Sequence, residues 1–216
     1  MAALAIALVI EPGIAAETVV PAFIGGAKSD AVYRDPNFIK AARECAILHP
    51  FQQYMAETPK VVSACVEKYM KSHGASAQAI AFMRFAPVPA QISELRNYGP
   101  VSVAYAEMLF ADRGDGWTVI GKSGELIPLW APADISQDPQ FSEFRKSSPD
   151  VDLWPDGLTW PRASTTANGG ERLVFTFQLK TCHACAIAAN AELAYDFDRN
   201  GRFLGTHLLK ITPAKS

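Results

Sequence analysis

Residues Leu173 to Ile211, LVFTFQLKTCHACAIAANAELAYDFDRNGRFLGTHLLKI, set the architecture of this chain. Leu173 to Leu179 alternates apolar and polar residues, the period of a half-buried strand. Ile187, Ala189, Ala191, Leu193, Tyr195 and Phe197 then fall on one face, with Asn190, Glu192 and Asp196 on the other. Asp198-Arg199-Asn200-Gly201 has the composition of a tight turn, and Phe203 to Ile211 returns. Three strands with short connections predict an antiparallel sheet.

A similar layout lies upstream. Val101 to Phe110 alternates, Asp112 to Gly116 is a turn, and Trp117 to Ile120, Gly121 to Gly124 and Leu126 to Trp130 read as a hairpin. Superposing Gly124 on Gly201 pairs Ile120 with Phe197 and Leu126 with Phe203, a likeness of plan and not a duplication. Between the two regions, 131–170 is an insertion rich in Pro, Asp, Ser and Gly, with a short helix over Pro139 to Lys146. Trp154-Pro155 and Trp160-Pro161 read as rigid extended loop. The six acidic and two basic residues from Asp134 to Asp156 give a local charge of −4, which reads as a solvated surface.

Before residue 101 the pattern is helical. Asp35 to Leu48 carries Pro36 in its first turn and a stripe of Phe38, Ala41, Ala42, Cys45 and Leu48. Pro50 interrupts it, and Phe51 to Ala56 restarts. Thr58 and Pro59 open the next helix, striped by Val62, Cys65, Val66, Tyr69 and Met70 and ended by Gly74. Ala77 to Phe85 follows Ser76 and stops before Pro87. Pro87 to Pro100 reads as a connector with helical character from Ile92 to Asn97. The expectation is an α+β chain: a helical region over 17–100, then an antiparallel β region over 101–216, in one continuous domain with helices on one face of the sheet. That element order is compatible with a curved NTF2-like or cystatin-like sheet, an analogy that fixes no function.

The 216 residues are 49% apolar and 19% charged, a globular balance. A net charge of −2 leaves no basic excess for a phosphate backbone, so a nucleic-acid partner is not expected. Ala2 to Ile10 is an apolar run too short to span a bilayer, which needs about 20 residues. Glu11-Pro12-Gly13 and small residues follow it, so 1–16 reads as a signal peptide, although no Lys or Arg precedes the run. The mature chain is then periplasmic or secreted, without a membrane span. Disulfides persist there.

Four cysteines allow three pairings. Spacing favours Cys45 with Cys65, on the apolar stripes of adjacent helices, and Cys182 with Cys185. The loop Cys182-His183-Ala184-Cys185 is the candidate functional site, and it has four readings. The first is a structural disulfide between two strands. The second is thiol–disulfide chemistry by Cys182 and Cys185, with His183 favouring a thiolate. Against it, too little chain follows Cys185 to complete a thioredoxin-like domain. The third is a metal site that adds His207, but no second C-x-x-C exists and no metal is expected. Covalent haem attachment needs a His where Ala186 stands. The fourth is recognition by a pre-organised loop.

From its aromatic strand through Cys182-His183-Cys185 to Gly205, the chain resembles periplasmic lysozyme inhibitors of the Ivy type. There, a Cys-bounded, His-containing loop follows a strand and precedes a strand, turn and strand. The likeness covers about 35 residues. The spacing between the cysteines is shorter here, and the inhibitors' later strands have no counterpart. The resemblance implies inhibition of a hydrolase by the loop.

Gly116 to Ser123, GWTVIGKS, fits the phosphate-binding pattern G-x-x-x-x-G-K-S. Its middle is an aromatic followed by three β-branched residues, which favour a strand. Gly124 and Pro128 oppose the helix that should start at Lys122-Ser123. A hairpin is expected instead of a nucleotide site. No H-E-x-x-H, G-x-S-x-G or S-x-x-K constellation is present. His49 lies at a helix junction and His73 at a helix end, weak candidates for a base. The expectation is an exported, disulfide-stabilised protein without evident catalysis or cofactor. It would bind an unknown protein or small ligand through the Cys182–Cys185 loop. The alternatives are a thiol–disulfide active protein and a hydrolase inhibitor.

Overall fold

The computed structural model describes residues 18–19, 23, 25–47, 59–86, 88–109, 116–129 and 133–214. The expected signal peptide, Phe51 to Ala56, the Thr58 cap and His49 lie outside them. In chain order the elements are β1 (Thr18–Val19), a 3-10 turn (Ser29–Ala31), α1 (Phe38–Ile47), α2 (Pro59–Ser72) and α3 (Ala77–Phe85). Next come β2 (Ala90–Tyr98), β3 (Val101–Met108), β4 (Gly116–Ile120), β5 (Glu125–Pro128), α4 (Pro139–Ser147), β6 (Asp152–Trp154) and β7 (Arg162–Thr165). The chain closes with β8 (Glu171–Lys180), β9 (Ala189–Phe197) and β10 (Phe203–Pro213).

These strands make two antiparallel sheets where the sequence suggested one. The first has the order β1-β5-β4-β3-β2 and the second β10-β9-β8-β6, with β7 also paired to β8. The two regions of similar plan are the cores of the two sheets. Period-2 alternation separates the faces. Val101, Val103, Trp117, Val119, Ile127 and Leu129 face the second sheet and meet Leu173, Phe175, Phe177, Leu193, Tyr195 and Phe197 in the largest apolar core. Ala104, Ala106, Ile120 and Leu126 face the other way and pack with Phe82 of α3. The layers are therefore helices α1–α3, first sheet, second sheet, with Phe141 of α4 entering the inter-sheet core.

The helical character expected from Ile92 to Asn97 is corrected to strand β2. A bulge explains the misreading. Ile92 pairs with Ala106 and Glu94 with Tyr105, so Ser93 is inserted and the alternation slips by one residue. The extra carbonyl is satisfied by Arg34, whose Nε donates to the Ser93 oxygen at 2.5 Å.

The helical layer is cross-linked. Cys45 of α1 bonds Cys65 of α2, a separation of 20 residues. In the chain-entropy treatment a loop of that size stabilises by about 3 kcal/mol. The hydroxyls of Tyr33 and Tyr69 both donate to Asp35 Oδ2, at 3.0 and 2.7 Å. Burial pushes the Asp35 carboxyl up, but these bonds and the Asn37 amide outweigh it and hold it below its ordinary value. Ser76 caps α3 by accepting from the Ala79 amide. His73 ends α2 with Nδ1 2.9 Å from the Tyr69 carbonyl oxygen, its ring stacked on Tyr69.

Gly116 to Ser123 forms β4 and the start of a turn, with the Gly121 amide donating to Glu125 and the Gly124 amide to Gly121. This turn meets the β9–β10 turn of the other sheet. Lys122 donates its amide to the Gly201 carbonyl at 3.4 Å. Gly201 has φ 77°, and a Cβ there would come within 3.0 Å of Lys122 and Pro100, so backbone conformation and close approach both require glycine.

Candidate functional site

Strand β8 buries Leu173, Phe175, Phe177 and Leu179 and turns Arg172, Thr176, Gln178 and Lys180 to the opposite face. By alternation Lys180 belongs to the outer set, yet it is buried. Strand β6 lies beside it in the same sheet, where Asp152, Leu153 and Trp154 pair with Lys180, Leu179 and Gln178. The turn after β6 brings Asp156 over the lysine. Lys180 Nζ lies 2.5 Å from Asp156 Oδ2 and donates to the His183 carbonyl at 2.7 Å. It also sits 5.7 Å from the Trp154 ring centroid, within cation–π range. The indole Nε1 of Trp154 donates to the Lys180 carbonyl at 3.1 Å.

The chain then leaves the sheet. Leu179 pairs with Ala189, and 181–188 is the β8–β9 connection. Cys182 and Cys185 are bonded, and the Cys185 amide donates to the Cys182 carbonyl at 3.1 Å. The Ala188 amide returns to the Leu179 carbonyl and closes the base. His183 lies over Asp156, with Nε2 3.3 Å from Oδ1, and its ring meets Trp154 edge to face at 5.9 Å. The side chains are 6% exposed at Lys180, 18% at Asp156 and 51% at His183. The site is thus graded from a buried ammonium to an open imidazole, with Asp156 bridging them. Cys182 is exposed and Cys185 half-buried.

The structure brings Cys182, His183 and Cys185 together, as chain adjacency requires. Cys45 and Cys65 lie in the helical layer and contribute to its core. His207, the third-ligand candidate, is not near the loop. It pairs with Ala194, which pairs with Val174, roughly 20 Å along β8 from Lys180 at about 3.4 Å per residue. There it lies 3.4 Å from Asp196 Oδ2, while Arg172 holds both Asp196 oxygens at 2.6 Å. Among the described residues no group of three or more His, Cys, Asp or Glu side chains is placed to hold a metal ion.

Asp156, Lys180 and Trp154 escaped the sequence reading. The one signal was Trp154-Pro155-Asp156-Gly157, a turn following an aromatic, inside a segment whose acidic residues looked uniformly solvated. Compared with family models, curated proteins and solved structures, the chain matches none. Among the described residues no helix is long and apolar enough to cross a membrane.

Proposed function

We propose that this is an exported, disulfide-stabilised binding protein that presents the Cys182–Cys185 loop to a macromolecular partner. One observation carries the reading: the loop is fixed from three sides before any partner arrives. The disulfide closes it, Lys180 holds the His183 carbonyl, and Asp156 and Trp154 hold the imidazole. Ordering a loop costs about 0.5–1.5 kcal/mol per immobilised side chain on association, and here that cost falls on folding. His183 offers an aromatic, hydrogen-bonding tip at the summit of a strand connection, where binding residues concentrate. Two disulfides are compatible with an oxidising compartment. Hydrolase inhibition is the special case in which the partner is an enzyme. The NTF2-like or cystatin-like analogy stays with the first sheet and its helical layer, and carries no function.

The test is photo-cross-linking in the exporting cell. Ala184→p-benzoylphenylalanine should yield a discrete adduct, and the same probe at exposed Lys146 should not. Lysozymes and proteases assayed with stoichiometric protein identify the inhibitor case by loss of activity that His183→Ala restores. Adducts at Lys146 and none at Ala184 overturn the loop as the binding site. N-terminal sequencing of the recovered chain checks export: an end near residue 17 supports it, and an intact Met1 opposes it.

A further inference from the structure

We infer that the Cys182–Cys185 bond is also a working dithiol–disulfide couple that takes an electron pair from a dithiol substrate. The inference does not depend on the binding reading, since a loop binds without its disulfide opening.

Three features point to it. First, the bond is accessible from one side: Cys182 is exposed while Cys185 is half-buried. Attack by an incoming thiolate is directed to one sulfur, and the other is the leaving group. Second, an ammonium paired with Asp156 is fixed on the backbone of the turn that the bond closes. Lys180 Nζ donates to the carbonyl of His183, between the two cysteines, and its side chain is only 6% exposed. A cation so held favours a thiolate at either sulfur, and a better leaving thiolate speeds exchange. Third, His183 Nε2 lies 3.3 Å from Asp156 Oδ1, and the imidazole, in the loop between the two cysteines, is open to solvent. Cys45, by contrast, is buried among Phe38, Val62 and Val66.

A substrate thiolate attacks Cys182 Sγ, a new S–S bond forms, and the Cys182–Cys185 bond breaks with its electron pair on Cys185. Cys185 takes a proton, which His183, in the same four-residue loop, would relay from solvent. The second substrate thiolate attacks the substrate-side sulfur of the mixed disulfide and releases Cys182, which is then protonated. Two electrons and two protons pass from substrate to protein, leaving a substrate disulfide and a protein dithiol. The reverse reaction with a small disulfide such as oxidised glutathione restores the couple.

The experiment is a titration of the oxidised full chain in glutathione buffers, with alkylation and peptide mass spectrometry reporting each disulfide. The expected result is that Cys182–Cys185 opens in buffers that leave Cys45–Cys65 closed. His183→Ala and Lys180→Met should each raise the reduced-to-oxidised glutathione ratio needed for half-opening by at least threefold. In Cys185→Ser, oxidised glutathione should form a mixed disulfide with Cys182, releasing one reduced glutathione, faster than it does with Cys185 in Cys182→Ser. Should Lys180→Met fail to fold, His183→Ala, half exposed, carries the comparison. A Cys182–Cys185 bond that opens no earlier than Cys45–Cys65 overturns the inference, as do midpoints unchanged in both variants. A loop that fails here and still cross-links its partner leaves the binding reading standing.

Discussion

Lys180 concentrates the site's energetics in one side chain. Its ammonium is almost fully buried and has two oxygen partners, Asp156 and the His183 carbonyl. Removing one member of a buried pair costs more than the pair contributes, because the remaining charge loses its compensation. Lys180→Met is therefore expected to lower stability by about 3 kcal/mol, read by urea denaturation. The double variant Lys180→Met/Asp156→Asn should recover part of that loss, since no uncompensated carboxylate remains. Equal losses in the single and double variants would show that the carboxylate is not what Lys180 compensates. At this scale the sequence was only half readable. Adjacent residues gave the Cys182-His183-Cys185 cluster. Asp156 and Lys180 are joined only by the β6–β8 pairing, and alternation placed Lys180 on an outer face. Sequence periodicity says which face a residue takes but not whether another segment folds over that face.

Among the elements, the helical hairpin was the most legible, because caps, proline positions and stripes are local signals. Its two cysteines were paired by their spacing and their places on the two stripes. Strand β2 was illegible for the converse reason: a bulge at Ser93 destroys the period that identifies a strand. The hairpin also makes the chain acid-sensitive. Bonds from Arg84 and Lys71 outweigh partial burial and hold Glu67 down at about 2, against an ordinary 4.5. A depressed carboxyl contributes stability that is full above about pH 4.5 and is lost as pH falls towards 2. Arg84 and Lys71 are more than half exposed, so solvent screening limits the contribution to about 1 kcal/mol. Glu67→Gln should thus be less stable than the parent at pH 7, and the gap should close between pH 4.5 and 2 in denaturant melts. A constant gap across that range would assign the effect to packing. In the same element, Cys45→Ala/Cys65→Ala should cost about 3 kcal/mol, measured at pH 7 where Glu67 is ionised in both proteins.

For the molecule as a whole, the decisive fact is that two sheets share one core. The sequence displayed two similar β regions but gave no sign that they stack face to face, because alternation is blind to what the apolar face meets. Trp117, Val103 and Val119 of the first sheet lie in the same cluster as Phe175, Phe177 and Tyr195 of the second. The β4–β5 and β9–β10 turns touch through Lys122 and Gly201 at the rim. A shared core couples the sheets. Phe177 is fully buried on β8, so Phe177→Ala should cost about 3–5 kcal/mol, while Thr176→Ala on the exposed face should cost under about 0.5 kcal/mol. The stronger expectation concerns where the loss is felt. Hydrogen exchange in Phe177→Ala should accelerate at Val103 and Val119 of the first sheet as well as at Leu193 of the second. Those amides open with the global transition when one core serves both sheets. Acceleration confined to β8 and β9 would mean that the sheets open separately. The Cys182–Cys185 loop would then sit on a platform able to move against the helical layer. If they open together, Lys180, Asp156 and His183 are held by the entire three-layer stack, the rigidity that both a binding loop and a tuned disulfide require.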